Sequence, residues 1–247
     1  MKGAEVDDVR SEFFSALTGA LTLPVIDGPN LIVGIDGVDG AGKTRLADDW
    51  AMSLRGLRSV ARVSIDGFHH VRARRYRRGR TSSEGFWLDS YDYAAFRREV
   101  IEPFRQGNGT YLPRHHDVET DQILVGHRLP VPRGCVLLVD GIFLHRPELE
   151  GVWDHTVFLG VPFEESARRM AIRDGSPPDP EAAENARYVG GQRRYLAECR
   201  PDERASVLVD YRDLARPVIV RGGEAGGRHT PRNTGVRFSW NAAKPSR

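Results

Sequence analysis

Residues 31–44 read Leu-Ile-Val-Gly-Ile-Asp-Gly-Val-Asp-Gly-Ala-Gly-Lys-Thr. From Gly37 the order is Gly, four residues, then Gly-Lys-Thr, which is the P-loop spacing. Glycines let successive backbone N–H groups turn inward around phosphate oxygens. A helix that begins at Lys43 directs its positive end at the same anion. Lys43 suits the β- and γ-phosphates of a nucleoside triphosphate, and the Thr44 hydroxyl suits Mg²⁺. The expected cradle is Gly37, Asp39, Gly40, Ala41, Gly42, Lys43, Thr44 and Arg45, with ATP and Mg²⁺ as cofactors.

Three carboxylates belong to the same chemistry. Asp39 lies inside the loop, while Asp66 and Asp140 each close an apolar run. Asp66 could take the proton of an acceptor hydroxyl and orient it for in-line attack on a γ-phosphate. Asp140 suits Mg²⁺, directly or through water, so Thr44, Asp66 and Asp140 form the candidate metal set. Each acid could instead cap the turn after its strand. The sequence has neither an Asn-Lys-x-Asp guanine-reading motif nor a Leu-Ser-Gly-Gly-Gln transporter signature, which favours a small-molecule kinase.

Bringing these residues together requires alternating strands and helices. Strands are expected at 31–35, 59–65, 135–141 and 156–161, with short ones at 206–209 and 217–220. Continuous apolar runs such as 135–141 are those of buried parallel strands. Helical spacing appears at 4–20 (Val9, Phe13, Ala16, Leu17, Ala20) and after Thr44 (Leu46, Ala47, Trp50, Ala51, Leu54). Asp92 has the type and place of an N-cap for a helix burying Tyr93, Phe96, Val100 and Phe104, which Pro103 should kink or end. A later helix turns Phe163, Ala167, Met170 and Ala171 inward and leaves Arg169 and Arg173 outward, until 174–178 breaks it. Asp179-Pro180 should start the next helix, with Tyr188, Gln192, Tyr195 and Cys199 in one stripe. Residues 71–90 read as a polar loop, and 106–134 as a long connection holding a short hairpin. The expected fold is α/β: a doubly wound, mostly parallel five-stranded sheet with helices on both faces, plus a lid. The expected units are 1–29, a helix and linker; 30–221, the P-loop domain with its lid near 169–185; and 222–247, a mobile tail.

Composition narrows the class. A chain of 247 residues with 40% hydrophobic and 28% charged residues fits a globular domain. Net charge +2 is too small to argue for nucleic acid or a membrane surface. Cys135 and Cys199 are the two cysteines, too few for a disulfide scaffold. Glu5, Asp7, Asp8 and Glu12 break the order of a signal peptide, and no apolar run reaches the length of a membrane span. A cytoplasmic location is expected.

Gly37–Thr44, Asp66-Gly67-Phe68-His69, Tyr91-Asp92, Asp140-Gly141-Ile142 and the Arg169…Arg173-Asp174 helix together resemble the uridine kinase family. More broadly they resemble the P-loop kinases that include phosphoribulokinase and bacterial pantothenate kinase. The resemblance spans about residues 30–220. It implies that Asp66 is the catalytic base and that Lys43, Arg169 and Arg173 stabilise the transferring phosphoryl group, the arginines from a lid hinged at 174–178; Arg168 is the next candidate. His69 stands where uridine kinases commonly have tyrosine. Tyr91 and Asp92 match the pair that holds a nucleoside ribose. Asp140 replaces the usual glutamate with a reach one methylene shorter, which implies metal contact through water. The stretch 111–117 stands where uridine kinases read the base but departs from their Tyr-Asp-Phe pattern. Arg114, His115 and His116 are its substrate-contact candidates, with Gln192 placed beside them. No third ligand at metal spacing supports a metal at His115 and His116.

Six arginines occupy positions 72, 74, 75, 77, 78 and 80. They could be a solvated or locally paired loop, a trap for an anionic substrate, or a nucleic-acid contact with Tyr76 stacking. The function expected is ATP-dependent phosphoryl transfer to a hydroxyl of a nucleoside. Other acceptors are a sugar phosphate, a pantothenate-like acid or a nicotinamide riboside-like molecule. From a different class, the chain could be a nucleotide-gated RNA-binding protein. A small molecule is the expected partner, a homo-oligomer is open, and neither membrane nor nucleic acid is expected.

Overall fold

The computed structural model describes residues 2–21 and 28–222. The chain opens with helix α1 (Lys2–Ala20), then strand β1 (Leu31–Gly37), helix α2 (Lys43–Leu54) and strand β2 (Val60–Ser64). A 3-10 turn at Ile65–Phe68 leads to short helices α3 (Arg72–Arg75), α4 (Ser83–Asp89) and α5 (Tyr93–Phe96). A π-turn at Arg97–Ile101 joins α5 to α6 (Glu102–Gln106). Pro103 therefore does not end the helix. It lacks the N–H that would bond the Glu99 carbonyl in an α-helix, and that carbonyl accepts the Leu112 amide at 3.0 Å.

Residues 106–134 form two nested hairpins. Strands β3 (Thr110–Tyr111) and β6 (Leu129–Pro130) pair outside β4 (His116–Asp117) and β5 (Gln122–Ile123). The chain then runs through β7 (Val136–Gly141), β8 (His155–Gly160), α7 (Phe163–Asp174), α8 (Ala186–Cys199), α9 (Pro201–Arg204), β9 (Val207–Asp210) and β10 (Val218–Gly222).

The central sheet has six strands rather than five, in the order β10-β9-β8-β1-β7-β2. All neighbours pair in parallel except β10, which runs antiparallel to β9 at the edge. Every residue of β7, and all but the first of β1 and β8, is buried. The sheet is therefore covered on both sides, as continuous apolar strands require. Its register fixes the site. Ile35 of β1 and Ser64 of β2 both pair with Asp140 of β7, so the three strands end level and side by side.

Helix α2 buries Leu46, Ala47, Trp50, Ala51 and Leu54, the five positions expected from spacing. Helix α1 joins the same core through Phe13, Phe14 and Leu17, with Phe14 in place of the expected Ala16. Trp50 Nε1 donates to Thr18 Oγ1 at 3.0 Å and ties the two helices.

Three expectations are corrected. Residues 71–90 are not a loop: α3 and α4 lie there, and α4 packs on α8. Helix α8 starts at Ala186 rather than at Asp179, whose carboxylate accepts the Glu181 amide and closes a turn instead. Arg169 does not face outward from α7, as described below. The expected linker falls mostly, and the C-terminal tail almost wholly, outside the described residues.

Candidate active site

The turn between β1 and α2 is built on glycines with left-handed backbone, Gly40 at φ 66° and Gly42 at φ 91°. A Cβ on Gly40 would stand 2.8 Å from the Ser166 carbonyl oxygen, so only glycine fits this bend against α7. Helix α2 starts with no side-chain cap and no acid in its first turn. Its free N–H groups and positive end are thus left for an anion. Lys43 Nζ donates to the Val38 carbonyl at 2.8 Å, folded back over the loop.

Two helices hold this loop from outside. From α7, Ser166 Oγ donates to the Asp39 carbonyl at 2.5 Å and Arg169 Nη1 to the Ala41 carbonyl at 3.1 Å. From α8, Gln192 takes Asp39 with both ends of its amide. Its Oε1 accepts the Asp39 N–H at 2.7 Å and its Nε2 donates to Asp39 Oδ2 at 3.0 Å. One turn on, the Tyr195 hydroxyl donates to Asp36 Oδ2. Asp36 is fully buried in β1 and also accepts from the amides of Gly37 and Leu144, with His145 Nδ1 at 2.8 Å.

The outward direction expected of Arg169 is therefore corrected. Gln192 is 3% exposed and turned to the P-loop. Arg169 also donates to the carbonyls of Tyr211 and Arg212 and pairs with Glu165, so its guanidinium braces the loop from the side. Arg173 is exposed and pairs with Asp174, and its positive charge weakly opposes the burial that raises the Asp39 carboxyl.

At the level strand ends, Thr44 Oγ1 donates to Asp140 Oδ2 at 2.7 Å. The hydroxyl and the carboxylate are a small, oxygen-only donor set. Mg²⁺ accepts such a set when it arrives on phosphates and keeps several waters, so these residues fit it. Asp140 Oδ1 lies 3.0 Å from Arg62 Nη2.

Asp66 follows β2, exposed beside the loop. The Tyr91 hydroxyl donates to Asp66 Oδ1 at 2.7 Å, and His69 Nδ1 stands 2.8 Å from the Asp66 carbonyl oxygen. The rings of His69 and Tyr91 are 4.5 Å apart. Backbone bonds from Asp92 N to Phe68 O and from His70 N to Ser90 O zip the two segments together. Burial, with Asp66 adding to it, pushes the Tyr91 hydroxyl well above its usual range. Burial also lowers His69, against the pull of Asp66. Asp39 is raised by burial and, more weakly, by the Asp66 charge, while Lys43 opposes both.

The other acceptor candidates separate. Asp92 is the N-cap of α5, its Oδ1 accepting the Ala95 amide at 2.9 Å, so that oxygen is not free for a ribose. Arg114 is exposed and packs over Gly67. The His115 amide bonds the Gly67 carbonyl at 2.8 Å, and its ring stacks on Phe68. His116 is fully buried with Nε2 3.1 Å from Asp121, and it braces the inner hairpin instead of meeting solvent. The arginine run is largely paired within the fold. Arg77 and Arg78 clasp the buried Asp89, Arg75 is itself buried, and Arg80 lies over the Tyr76 ring at 5.1 Å.

A cavity of about 760 Å³ opens beside Gly40 and Gly42, between Arg168 and Ile172 of α7 and Leu214 after β9. Asp36, Arg62, Ser166 and Tyr195 were not anticipated as part of this arrangement. Asp36 left a trace as a carboxylate inside an apolar strand one residue before the P-loop, and Tyr195 as a neighbour of Gln192 on one helix stripe.

No protein-family model matches the chain. It is 28% identical over 152 residues to human nicotinamide riboside kinase 1, covering 60% of this chain and 67% of that protein. Among solved structures it is similar to one described as a possible uridine kinase from Bacillus stearothermophilus. The TM-score is 0.62 at 23% identity, over 83% of this chain and 98% of the other. Among the described residues no helix is long and apolar enough to cross a membrane. The chain thus has the fold of the P-loop kinases, and its sequence is similar to that of a nicotinamide riboside kinase.

Proposed function

We propose that the chain transfers the γ-phosphoryl group of Mg²⁺–ATP to a hydroxyl of a small nucleoside-like molecule. The observation that carries this reading is the level ending of β1, β7 and β2. That register sets the phosphate cradle, the Thr44–Asp140 pair and Asp66 around one opening. The cavity between α7 and Leu214 would take the base and ribose of ATP on the far side of Gly40 and Gly42. Lys43 would leave the Val38 carbonyl for the phosphates. Asp66, aligned by Tyr91, would orient the acceptor hydroxyl and take its proton. Thr44 and Asp140 would be the protein oxygens that hold Mg²⁺, which on arriving with ATP would supply charge neutralisation to the phosphates.

A phosphotransfer panel with Mg²⁺–ATP against uridine, cytidine, nicotinamide riboside, sugar phosphates and pantothenate tests the reading. Turnover of one nucleoside well above the rest is expected, and transfer to none of them would sink it. Asp66→Asn should bind ADP within about twofold of wild type while transfer falls by a factor of about 10² to 10⁴. Undiminished transfer in that variant would remove Asp66 from the role.

A second reading, nicotinamide riboside as acceptor, is supported by the likeness to the human kinase. The same panel separates it from uridine.

A further inference from the structure

Arg62 sits mid-strand in β2, in register with Leu138 of β7, where parallel strands ordinarily carry apolar side chains. Its side chain is only 22% exposed. Nη2 lies 3.0 Å from Asp140 Oδ1, and Nε lies 3.0 Å from Asp48 Oδ1 on α2. Longer contacts of 3.4 Å reach the carbonyls of Thr44 and Leu138. The other oxygen of Asp140 accepts the Thr44 hydroxyl. One nearly buried carboxylate is thus divided between a fixed positive charge and the hydroxyl that opens α2.

A guanidinium keeps its charge at any working pH. A divalent cation drawn to Thr44 and Asp140 therefore meets a carboxylate already partly neutralised. Asp48, exposed on the surface, draws on the same guanidinium from the other side. We infer that Arg62 is a built-in counter-charge that shares Asp140 with the divalent cation and so sets how much Mg²⁺ the protein requires. This rests on Thr44 and Asp140 being the metal end of a Mg²⁺–nucleotide site. In that site Arg62 is a positioning residue, acting through Asp140.

Opposite signs follow for two neighbours. Arg62→Gln keeps a donor beside Asp140 but removes the charge, so the cation is held more tightly. Asp48→Asn turns more of the Arg62 charge onto Asp140, so it is held less tightly.

The experiment is calorimetric titration of the full chain with ADP, without metal and at graded Mg²⁺. It reads the Mg²⁺ concentration that gives half of the metal-dependent gain in ADP affinity. Arg62→Gln should lower that concentration about fivefold and Asp48→Asn should raise it about threefold, as one charge acting in a screened, part-open site would do. Arg62→Lys should stay within about twofold of wild type, since the charge is kept. In an Asp140→Asn background, Arg62→Gln should have no further effect. An Arg62→Gln protein that needs as much Mg²⁺ as wild type, or more, overturns the inference. So does an Asp48→Asn protein with an unchanged or lowered requirement, and that surface variant decides the matter if Arg62→Gln does not fold. If ADP binds wild type no better with Mg²⁺ than without, the metal site itself fails. A gain in wild type that neither substitution moves fails the counter-charge alone.

Discussion

Asp36 carries four hydrogen-bonding partners on one buried carboxylate, from the Gly37 and Leu144 amides, His145 and the Tyr195 hydroxyl. Such a group is stable only while its partners stay, because each lost bond leaves a desolvated polar atom behind. Tyr195 is 3% exposed, and its hydroxyl oxygen also accepts the His145 amide at 3.0 Å. Tyr195→Phe should therefore lower stability by about 1–3 kcal/mol, read as a shift of the urea midpoint with an unchanged slope. A shift within error would mean that the hydroxyl is not part of the network. At this scale the sequence was legible where backbone chemistry dictates residue type, as in Gly40, Gly42, Lys43 and Thr44. It was illegible where a polar side chain has two plausible employers. Gln192 and His116 had the right types for substrate contact, but only the fold shows Gln192 turned to Asp39 and His116 sealed against Asp121.

Helices α4 and α8 meet through glycine. A Cβ on Gly191 would stand 2.7 Å from Phe86 Cδ1 and 3.1 Å from the Ser83 carbonyl oxygen, and one on Gly190 would stand 2.8 Å from Ser83 Cβ. This contact seats α8 deeply enough for Gln192 and Tyr195 to reach the P-loop side. Gly191→Ala raises helix propensity but forces the two helices apart. The overpacking should win, costing about 1–3 kcal/mol and weakening ADP binding because Asp39 loses its partner. Gly191→Ala with wild-type melting temperature and ADP affinity would show that the interface yields freely. Helices α2 and α8 were read from periodicity because they are long and keep one apolar face. Helices α3 and α4 were hidden because they are one or two turns long and flank two arginines, Arg77 and Arg78, whose partner, Asp89, lies outside the run. Charge density there mimics a solvated loop until the ion pairs are seen.

Across the whole molecule, the parallel sheet and its strand ends could be anticipated because apolar runs closed by acids mark a doubly wound sheet. The segment 217–220 was read as a strand but the sheet was counted as five-stranded, because β10 is a half-exposed antiparallel edge that lacks the dense apolar signature of its neighbours. Three histidines give the assembled fold a pH response that no single element has. His69 and His70 flank the acceptor side, while His155 begins β8. Burial lowers all three below 6.5, although Asp66, Asp92 and Asp154 respectively pull upward. With a depressed folded pKa, each imidazole stays neutral in the native state while the unfolded chain takes up a proton. The unfolded state thus binds more protons below 6.5, and stability must fall as pH drops through that window. The depressed carboxylates Asp89 and Glu99 lose their contribution only at lower pH, below the ordinary values of 3.8 and 4.5 for such groups. The melting temperature should accordingly be level above about pH 7 and decline between about pH 6.5 and 5, before the transitions of Asp89 and Glu99. His69→Gln, which cannot titrate, should flatten part of that decline. A melting temperature that rises on acidification over this window would mean that the native state holds these imidazoles protonated, the opposite of what their burial dictates.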